Sequence, residues 1–82
     1  MFYVYVLFNK EVAKTYIGQT NNLEVRLIEH SLKQGNHYTA RFSGKWKLIY
    51  KEEFYSRKEA IIREKQLKSS RGREFIRKII PL

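Results

Sequence analysis

The chain of 82 residues has no cysteine, a net charge of +9 and 43% hydrophobic residues. Its length predicts one domain with one modest core, and the absence of cysteine excludes disulfides and cysteine-based zinc sites. The apolar run at the start, Phe2 to Phe8, is far shorter than the roughly 20 residues that a membrane span needs. It also lacks a basic leader and a small-residue cleavage site, so we expect a soluble, cytoplasmic protein without membrane contact.

The positive charge is concentrated in the second half of the chain. Residues 41–82 hold thirteen of the seventeen Lys and Arg residues but only five of the eight acidic ones. A surface with this charge attracts polyanions, and nucleic acid is the commonest polyanionic partner. We therefore expect nucleic acid as the partner, against the alternative of a basic surface with no role in binding.

Two strands at the start are predicted to form a hairpin. The uninterrupted run FYVYVLF is typical of a strand buried on both faces, and AKTYIGQ follows as a second strand after the turn NKEV. If Phe8 lies opposite Ala13, Tyr5 lies directly across from Tyr16. Directly opposed residues point to the same face of a sheet, so this register predicts that the two phenols are neighbours.

The rest of the chain predicts three helices and one more strand. A helix is predicted to begin near Thr20-Asn21-Asn22, any of which can serve as the cap, and to run to about Lys33. A glycine-bounded loop, GNHYTARFSGK, and the strand WKLIYKEEFY follow, with Trp46, Leu48, Tyr50 and Phe54 in alternate positions of that strand.

A capping box at Ser56 and Glu59 starts the second helix, which is predicted to run to about Ser69. After SSRGR, a last short helix ends before Pro81. The order β-β-α-β-α-α predicts an α+β fold, with a three-stranded, mainly antiparallel sheet flanked by helices.

Glu64 is the most informative candidate for chemistry. Helical spacing places it between Ala60 and Leu67, on the face of its helix that packs against the sheet. A carboxylate on an apolar face is costly unless it is paired or bound to a metal. Two interpretations stay open: a salt bridge, or a ligand for Mg²⁺ or another hard divalent ion.

Tyrosine, arginine and histidine side chains form a second group of candidates. Arg26 and His30 are four residues apart and share a helix face, either as an exposed pair or as a partly buried phosphate-binding pair. Tyr5 and Tyr16 are either packing residues with tethered hydroxyls or a general-base pair whose phenolate needs cationic neighbours. Gly18 is expected to break the second strand at its end, as a turn residue or to admit a phosphate close to the backbone.

The glycine-bounded loop mixes bases with aromatic residues. This composition suits the binding of phosphates and the stacking of bases. The alternative is a solvated loop of ordinary composition without a role in binding. The candidate nucleic-acid contacts in the loop are His37, Tyr38, Arg41, Phe42 and Lys45.

Taken together, these residues resemble the GIY-YIG nuclease superfamily, in particular its small stand-alone bacterial members and the N-terminal nuclease of the excision-repair incision protein. The first motif stands as Tyr3-Val4-Tyr5, with Tyr3 in place of the opening glycine, and the second stands intact as Tyr16-Ile17-Gly18. Arg26 and His30 follow at the usual distance, and REKQLK is similar to the segment that holds the family's metal-binding glutamate, here Glu64. The asparagine that many relatives carry after this helix is absent from SSRGREFIRK.

The resemblance implies a single nuclease domain over residues 1–82 that hydrolyses phosphodiester bonds with one ion, Mg²⁺ or Mn²⁺. It implies that Tyr5 activates water beside Tyr16, that Arg26 neutralises transition-state charge, and that His30 assists proton transfer or holds the Tyr5 hydroxyl. Glu64 would bind the metal. In the same segment, Arg63 and Lys68 are further candidate contacts to nucleic acid.

Three functions follow from these observations. The first is a metal-dependent endonuclease acting on DNA, with RNA not excluded, that is structure-selective in repair or recombination. The second is a nucleic-acid-binding module of nuclease ancestry with weak or lost catalysis, and the third is a protein-interaction domain with an acidic partner. Because no recognition domain is evident, we expect a partner protein or a homodimer to supply specificity.

Overall fold

The computed structural model describes residues 1–32 and 37–81, and the elements of this part of the chain form one sheet with helices on both faces. In chain order they are β1 (Phe2–Asn9), β2 (Lys14–Thr20), α1 (Leu23–Ser31), α2 (His37–Ala40), β3 (Lys47–Phe54), α3 (Arg57–Leu67) and α4 (Ser70–Ile79). The strands are antiparallel in the order β2-β1-β3. The α+β class and the order β-β-α-β-α-α are confirmed, although the four-residue helix α2 lies where we predicted only a loop.

Strand β1 is the centre of the core. Its residues Val4, Tyr5, Val6 and Leu7 have no exposed surface. Because side chains alternate along a strand, Val4 and Val6 pack against α3 and α4 on one face, whereas Tyr5 and Leu7 pack against α1 on the other. The prediction of a strand buried on both faces is confirmed. One face packs on α3 and α4, and the other, which we call the tyrosine-bearing face, packs on α1.

The predicted hairpin register is wrong by two residues. Phe8 pairs with Thr15, so Tyr5 lies opposite Gly18, and Tyr16 lies opposite Leu7. Ala13 has a φ of 53°, in the left-handed region, so it belongs to the turn and does not extend the strand. A shift of two keeps every side chain on its face, so Tyr5 and Tyr16 still share one.

A β-bulge divides the aromatic residues of β3 between the two faces. Val6 pairs with Tyr50 but its neighbour Leu7 pairs with Leu48, which leaves Ile49 as the extra residue. As a result Leu48, with Trp46 before the strand, packs on the tyrosine-bearing face, whereas Tyr50 and Phe54 pack on the α3 face. The alternation seen in the sequence therefore does not place these four residues on one side.

Side-chain caps fix where the helices begin. Asn22 caps α1 by accepting a hydrogen bond from the Val25 amide, and Ser56 caps α3 by accepting from the Glu59 amide at 3.2 Å, as predicted. Helix α3 ends at Leu67, two residues earlier than expected. The predicted end of α1 near Lys33 lies outside the described residues.

The last helix begins earlier than predicted because Ser69 caps it. The Ser69 hydroxyl accepts a hydrogen bond from the Gly72 amide, so α4 starts at Ser70 and includes the glycine. Gly72 is buried against the end of α3, where a Cβ atom would overlap the backbone of Gln66 and Leu67. Glycine therefore serves here as a contact residue between two helices.

Within the described ranges, none of the helices combines the length and apolar character needed to cross a bilayer.

Candidate active site

Two tyrosines and a histidine meet on the tyrosine-bearing face of the sheet. The Tyr5 hydroxyl lies 3.0 Å from His30 Nε2, and the Tyr16 ring lies 6.1 Å from the Tyr5 ring and 5.1 Å from the imidazole. Arg26, one turn before His30 on α1, is close enough to Tyr5 that its hydrogen-bonding capacity and charge act to lower the pKa of the phenol. The structure thus brings together Tyr5, Tyr16, Arg26 and His30, the four residues predicted to be catalytic, which we call the tyrosine–histidine cluster.

His30 is held at both ring nitrogens. It is 2% exposed, and its Nδ1 lies 2.9 Å from Thr39 Oγ1 of α2. In a neutral imidazole one nitrogen donates and the other accepts. If the Tyr5 hydroxyl donates to Nε2, Nδ1–H donates to Thr39, and the lone pair of His30 is directed at Tyr5.

Burial and neighbouring charges set the protonation states of this pair. Burial and Tyr16 raise the pKa of Tyr5 to about 12, although the hydrogen bond and charge of Arg26 act in the opposite direction. Burial, reinforced by Arg26, also lowers the pKa of His30 below 6.5, against a smaller opposing effect of Glu29. At neutral pH the site therefore holds a neutral phenol next to a neutral imidazole.

Arg26 supplies the positive charge of the cluster. Its side chain is 28% exposed, its guanidinium lies 3.4 Å from Glu29, and its pKa is raised by the hydrogen bond to Tyr5 against the effect of burial. A single exposed ion pair of this kind contributes little energy. The guanidinium is therefore able to exchange Glu29 for an anionic group that enters beside Tyr5.

Gly18 makes room for the two phenols. The prediction that it breaks β2 is wrong, because the strand continues through it to Thr20. A Cβ at this buried position would lie 2.8 Å from the Tyr5 hydroxyl and 2.9 Å from the Tyr16 ring. Nucleic-acid contact by Gly18 stays a prediction, but the steric need alone accounts for the glycine.

A Gly18→Ala substitution is expected to disturb the cluster. Tyr5 is fully buried and has no room to move, so the added methyl group should destabilise the protein by about 1–3 kcal/mol, as overpacking does. Urea unfolding followed by circular dichroism measures this loss. Gly44→Ala does not serve as a control because its φ is +93°, so Thr15→Ala on the same strand is the comparison. An unchanged midpoint for Gly18→Ala would contradict the steric explanation.

Glu64 lies on the other side of the sheet from Tyr5. Its helix α3 packs on Val4 and Val6 through Ala60 and Leu67, and the Glu64 carboxylate lies 2.9 Å from Lys68 Nζ. The salt bridge left open by the sequence is therefore present. Its side chain is 21% exposed, and the pair is of the i, i+4 kind that stabilises a helix by only about 0.3–0.5 kcal/mol.

A groove around the edge of β2 connects the two sides. It has a volume of about 700 Å³ and runs from Tyr16 and Tyr38 to Lys68 and helix α4. We call it the β2–α4 groove. Because Tyr16 belongs to the tyrosine–histidine cluster and Lys68 contacts Glu64, the groove reaches both parts of the candidate site.

The donors fit one type of metal site. Among the described residues no three His, Cys, Asp or Glu side chains are grouped as a metal cage. A single carboxylate suits Mg²⁺, which keeps several waters and is held by one or two carboxylates together with substrate phosphates. Glu64 is a single carboxylate of this kind, and its pair with Lys68 is a weak one.

The predicted nucleic-acid contacts are spread over three places. Tyr38 is 40% exposed and lies within an aromatic group with Tyr16, Phe42 and Trp46. Arg41 is exposed after α2, and Lys45 lines a separate depression near the β1–β2 turn. The predicted contact by His37 concerns a side chain outside the described part of the structure.

Arg63 and Lys68, on the α3 side, are already engaged in ion pairs. Arg63 Nε lies 2.8 Å from Glu52 on β3, so its charge is largely neutralised by a neighbour of the fold. Lys68 lines the β2–α4 groove and is 53% exposed. Lys68 is the better placed of the two to meet a phosphate.

Sequence reasoning missed Thr39, which fixes the His30 ring, and the two groove-lining arginines Arg73 and Arg77. The spacing of Arg73 and Arg77, four residues apart, was the available signal, because it places both on one helix face. Nothing in the sequence linked Thr39 to His30, since their contact depends on how α2 packs.

Comparison with known proteins agrees with this geometry. The GIY-YIG catalytic domain matches residues 1–78. The chain is 44% identical over 68 residues to UPF0213 protein CPE1444 of Clostridium perfringens, spanning 83% of this chain and 71% of that protein. It is 38% identical over 66 residues to UPF0213 protein OB0043 of Oceanobacillus iheyensis, spanning 80% of this chain and 74% of that protein.

A solved structure shares the fold. The solution structure of UPF0213 protein BH0048 from Bacillus halodurans is 33% identical, with a TM-score of 0.54, and the match covers 93% of this chain and 82% of that one. With the motif tyrosines, Gly18, Arg26 and His30 gathered at one site, the chain belongs to the GIY-YIG nuclease family, together with the small UPF0213 proteins of bacteria.

Proposed function

We propose that this protein is an endonuclease that uses a divalent metal ion to hydrolyse phosphodiester bonds in DNA, with RNA not excluded. The observation that carries the proposal is the Tyr5–His30 contact beside Arg26, in a cluster that opens through Tyr16 onto a basic groove. The family and the net charge of +9 support it further. In this proposal the protein acts in the cytoplasm as a single domain, is structure-selective in repair or recombination, and gains specificity from a partner protein or a homodimer.

Proton transfer explains the pairing of tyrosine with histidine. With a pKa of about 12, Tyr5 is almost entirely a phenol at neutral pH, so it accepts a proton from water only if its own proton leaves. His30 is neutral and lies 3.0 Å away with its Nε2 lone pair available. The water oxygen then bonds to phosphorus while the Tyr5 proton passes to His30, and Glu29 and Thr39 stabilise the resulting imidazolium.

The route of the water proton to Tyr5 passes near Tyr16. Tyr5 has no exposed surface, whereas Tyr16 lines the β2–α4 groove and its ring lies 6.1 Å from the Tyr5 ring. The proton is transferred either directly or through the Tyr16 hydroxyl. In both routes Tyr5 gains one proton, and the proton that Tyr5 held before ends on His30.

Arg26 and Glu64 act on the charge of the phosphate. Arg26 donates hydrogen bonds to the phosphate oxygens, whose negative charge grows as the fifth bond to phosphorus forms. Glu64 would hold the divalent ion, which supplies electrostatic stabilisation of the phosphate and the leaving oxygen when it is bound. Breakage of the phosphorus–oxygen bond releases one hydroxyl end and one phosphate end, and the leaving oxygen takes its proton from solvent.

The decisive test compares the rates at which the wild type and Arg26→Gln cleave labelled single-stranded, duplex and branched DNA in the presence of Mg²⁺ or Mn²⁺. The variant removes the charge that stabilises the transition state and is expected to cleave about 10²- to 10³-fold more slowly. Its stability should change little, because the pair with Glu29 is weak.

Arg71→Gln is the matched control, since it removes an exposed arginine from α4 at a position outside the groove lining. It should cleave like the wild type. Equal cleavage by the wild type and Arg26→Gln would point to a contaminating nuclease and contradict the proposed role.

One observation favours a second candidate function. The burial of Tyr5 and its raised pKa keep the proposed base in its unreactive form. A nucleic-acid-binding module of nuclease ancestry would retain the groove without needing an active phenolate. Salt-sensitive binding without cleavage by the wild type under any metal condition would establish this candidate instead.

A further inference from the structure

We infer that the β2–α4 groove binds an unpaired nucleic-acid strand, with Arg73 and Arg77 of α4 contacting its phosphates. The inference rests on the proposed function, because it assigns the substrate path of the same site. It goes beyond the motif residues, since neither arginine belongs to the tyrosine–histidine cluster.

The groove is lined by both cationic and aromatic side chains. The end of α3 and helix α4 contribute the cations Lys68, Arg73 and Arg77, whereas β2 and α2 contribute the rings of Tyr16 and Tyr38 together with one more cation, Lys14. The buried residue Ile76 also lines the groove. Proteins that bind single strands combine a cationic track for the backbone with aromatic rings on which bases stack.

The two α4 arginines of the groove are available for a ligand. Both are exposed, lie four residues apart on one face of α4, and have no ion-pair partner among the residues that the structure describes. By contrast, Arg26 and Arg63 are each within 4 Å of a glutamate. The phosphates of a nucleic-acid backbone would pair with these two like charges.

Exposed apolar and aromatic surface favours an unpaired strand over a duplex. Tyr38 is 40% exposed, and Ile17 and Ile80 also line the groove. The bases of a duplex are stacked and paired inside it, so they cannot contact such a surface. A single strand offers both its phosphates and its base faces.

The position of the groove gives the strand a defined relation to the chemistry. Its Tyr16 end belongs to the tyrosine–histidine cluster, and its Lys68 end contacts the Glu64 carboxylate. A strand that lies along α4 therefore passes between the proposed proton acceptors and the proposed metal ligand. The groove thus leads an unpaired flap or end to the site.

The test compares wild type with Arg73→Ala/Arg77→Ala in fluorescence anisotropy titrations of a labelled single-stranded oligonucleotide and of its duplex across a salt series. Loss of two phosphate contacts should weaken single-strand binding roughly 10- to 100-fold at low salt and reduce the salt slope by about 1.4. The wild type should bind the single strand more tightly than the duplex.

Lys58→Ala/Lys65→Ala is the matched control. It removes the same charge from exposed positions on α3 that do not line the groove. Circular dichroism verifies that both double variants are folded. Arg73→Lys/Arg77→Lys keeps the charge and is expected to retain most of the salt slope.

Three results would overturn the inference: equal weakening by the two alanine variants, an unchanged slope in Arg73→Ala/Arg77→Ala, or tighter binding of the duplex. Failure of the proposed function has a different signature. If the arginine variant weakens binding but the wild type never cleaves, the groove stands and hydrolysis fails. If the wild type cleaves and the arginine variant matches it in KM and affinity, hydrolysis stands and the groove assignment fails.

Discussion

We expect Tyr5→Phe to bind nucleic acid like the wild type but to cleave it about 10²- to 10⁴-fold more slowly, the range that loss of a general acid–base group produces. Phenylalanine keeps the ring that fills the core, so the loss is confined to the hydroxyl that contacts His30. Single-turnover cleavage with enzyme in excess measures the chemical step directly, and anisotropy measures binding.

The same substitution should lower stability as well, because it leaves the buried Nε2 of His30 without its partner at a cost of about 1–3 kcal/mol. Cleavage must therefore be compared at a temperature where both proteins are folded. Tyr3→Phe removes a hydroxyl from the same strand and face outside the cluster, and it should cleave normally. Wild-type rates for Tyr5→Phe would exclude Tyr5 from proton transfer.

Two further readouts belong to this prediction. Tyr16→Phe separates the two proton routes, since it abolishes cleavage only if the proton passes through the Tyr16 hydroxyl. The pH profile reports His30: because its pKa is lowered from 6.5 by burial and by Arg26, the imidazole stays neutral through pH 6.5, and cleavage should fall only as the pH drops through that lowered pKa, where protonation removes the acceptor. A rate that rises as the pH falls below 6.5 would contradict the relay.

Replacement of Glu64 by glutamine is expected to reduce metal-stimulated cleavage by at least about 100-fold. An ion in this position contributes several kcal/mol to transition-state stabilisation, and the neutral amide is a poor ligand for Mg²⁺. The fold should be nearly unaffected, because the exposed pair with Lys68 contributes at most about 0.5 kcal/mol. Broadening of NMR signals near residue 64 by Mn²⁺ tests metal binding independently of cleavage.

Glu74→Gln is the control for this variant, since Glu74 is an exposed glutamate on α4. It should keep both the metal response and the Mn²⁺ broadening of the wild type. If Glu64→Gln retains the full metal response, the ion binds elsewhere, and the salt bridge with Lys68 alone accounts for the glutamate at position 64.

Local sequence signals predicted the elements of the fold but not their register. The apolar run of β1 and the Ser56–Glu59 capping box act over a few neighbouring residues and appear as expected, and the cap of α1 is Asn22, one of its three candidates. The hairpin register depended on Ala13 adopting a positive φ, which alanine rarely does. The bulge at Ile49 likewise depends on contacts between strands, which the alternation of β3 alone does not reveal.

The same distinction applies to the site. The sequence identified the four residues of the tyrosine–histidine cluster because most of them lie close together along the chain, at the connection from strand to helix. Tyr5 and Tyr16 remain on the same face of the sheet because the register differs by an even number of residues. Thr39 was missed because its contact with His30 depends on how α2 packs beside α1, which no local sequence pattern indicates. The groove was missed because its walls come from opposite ends of the chain.

Gly72 has a consequence for how this family could diversify. Because α4 touches α3 backbone to backbone at this residue, the spacing between the two helices does not depend on side-chain conformation. Arginines on the outer face of α4 can therefore be exchanged one at a time during evolution while the width of the β2–α4 groove stays constant. A side chain at position 72 would instead shift the whole helix. Substitutions of the outer arginines therefore change the charge of the groove, whereas a substitution of Gly72 changes its width.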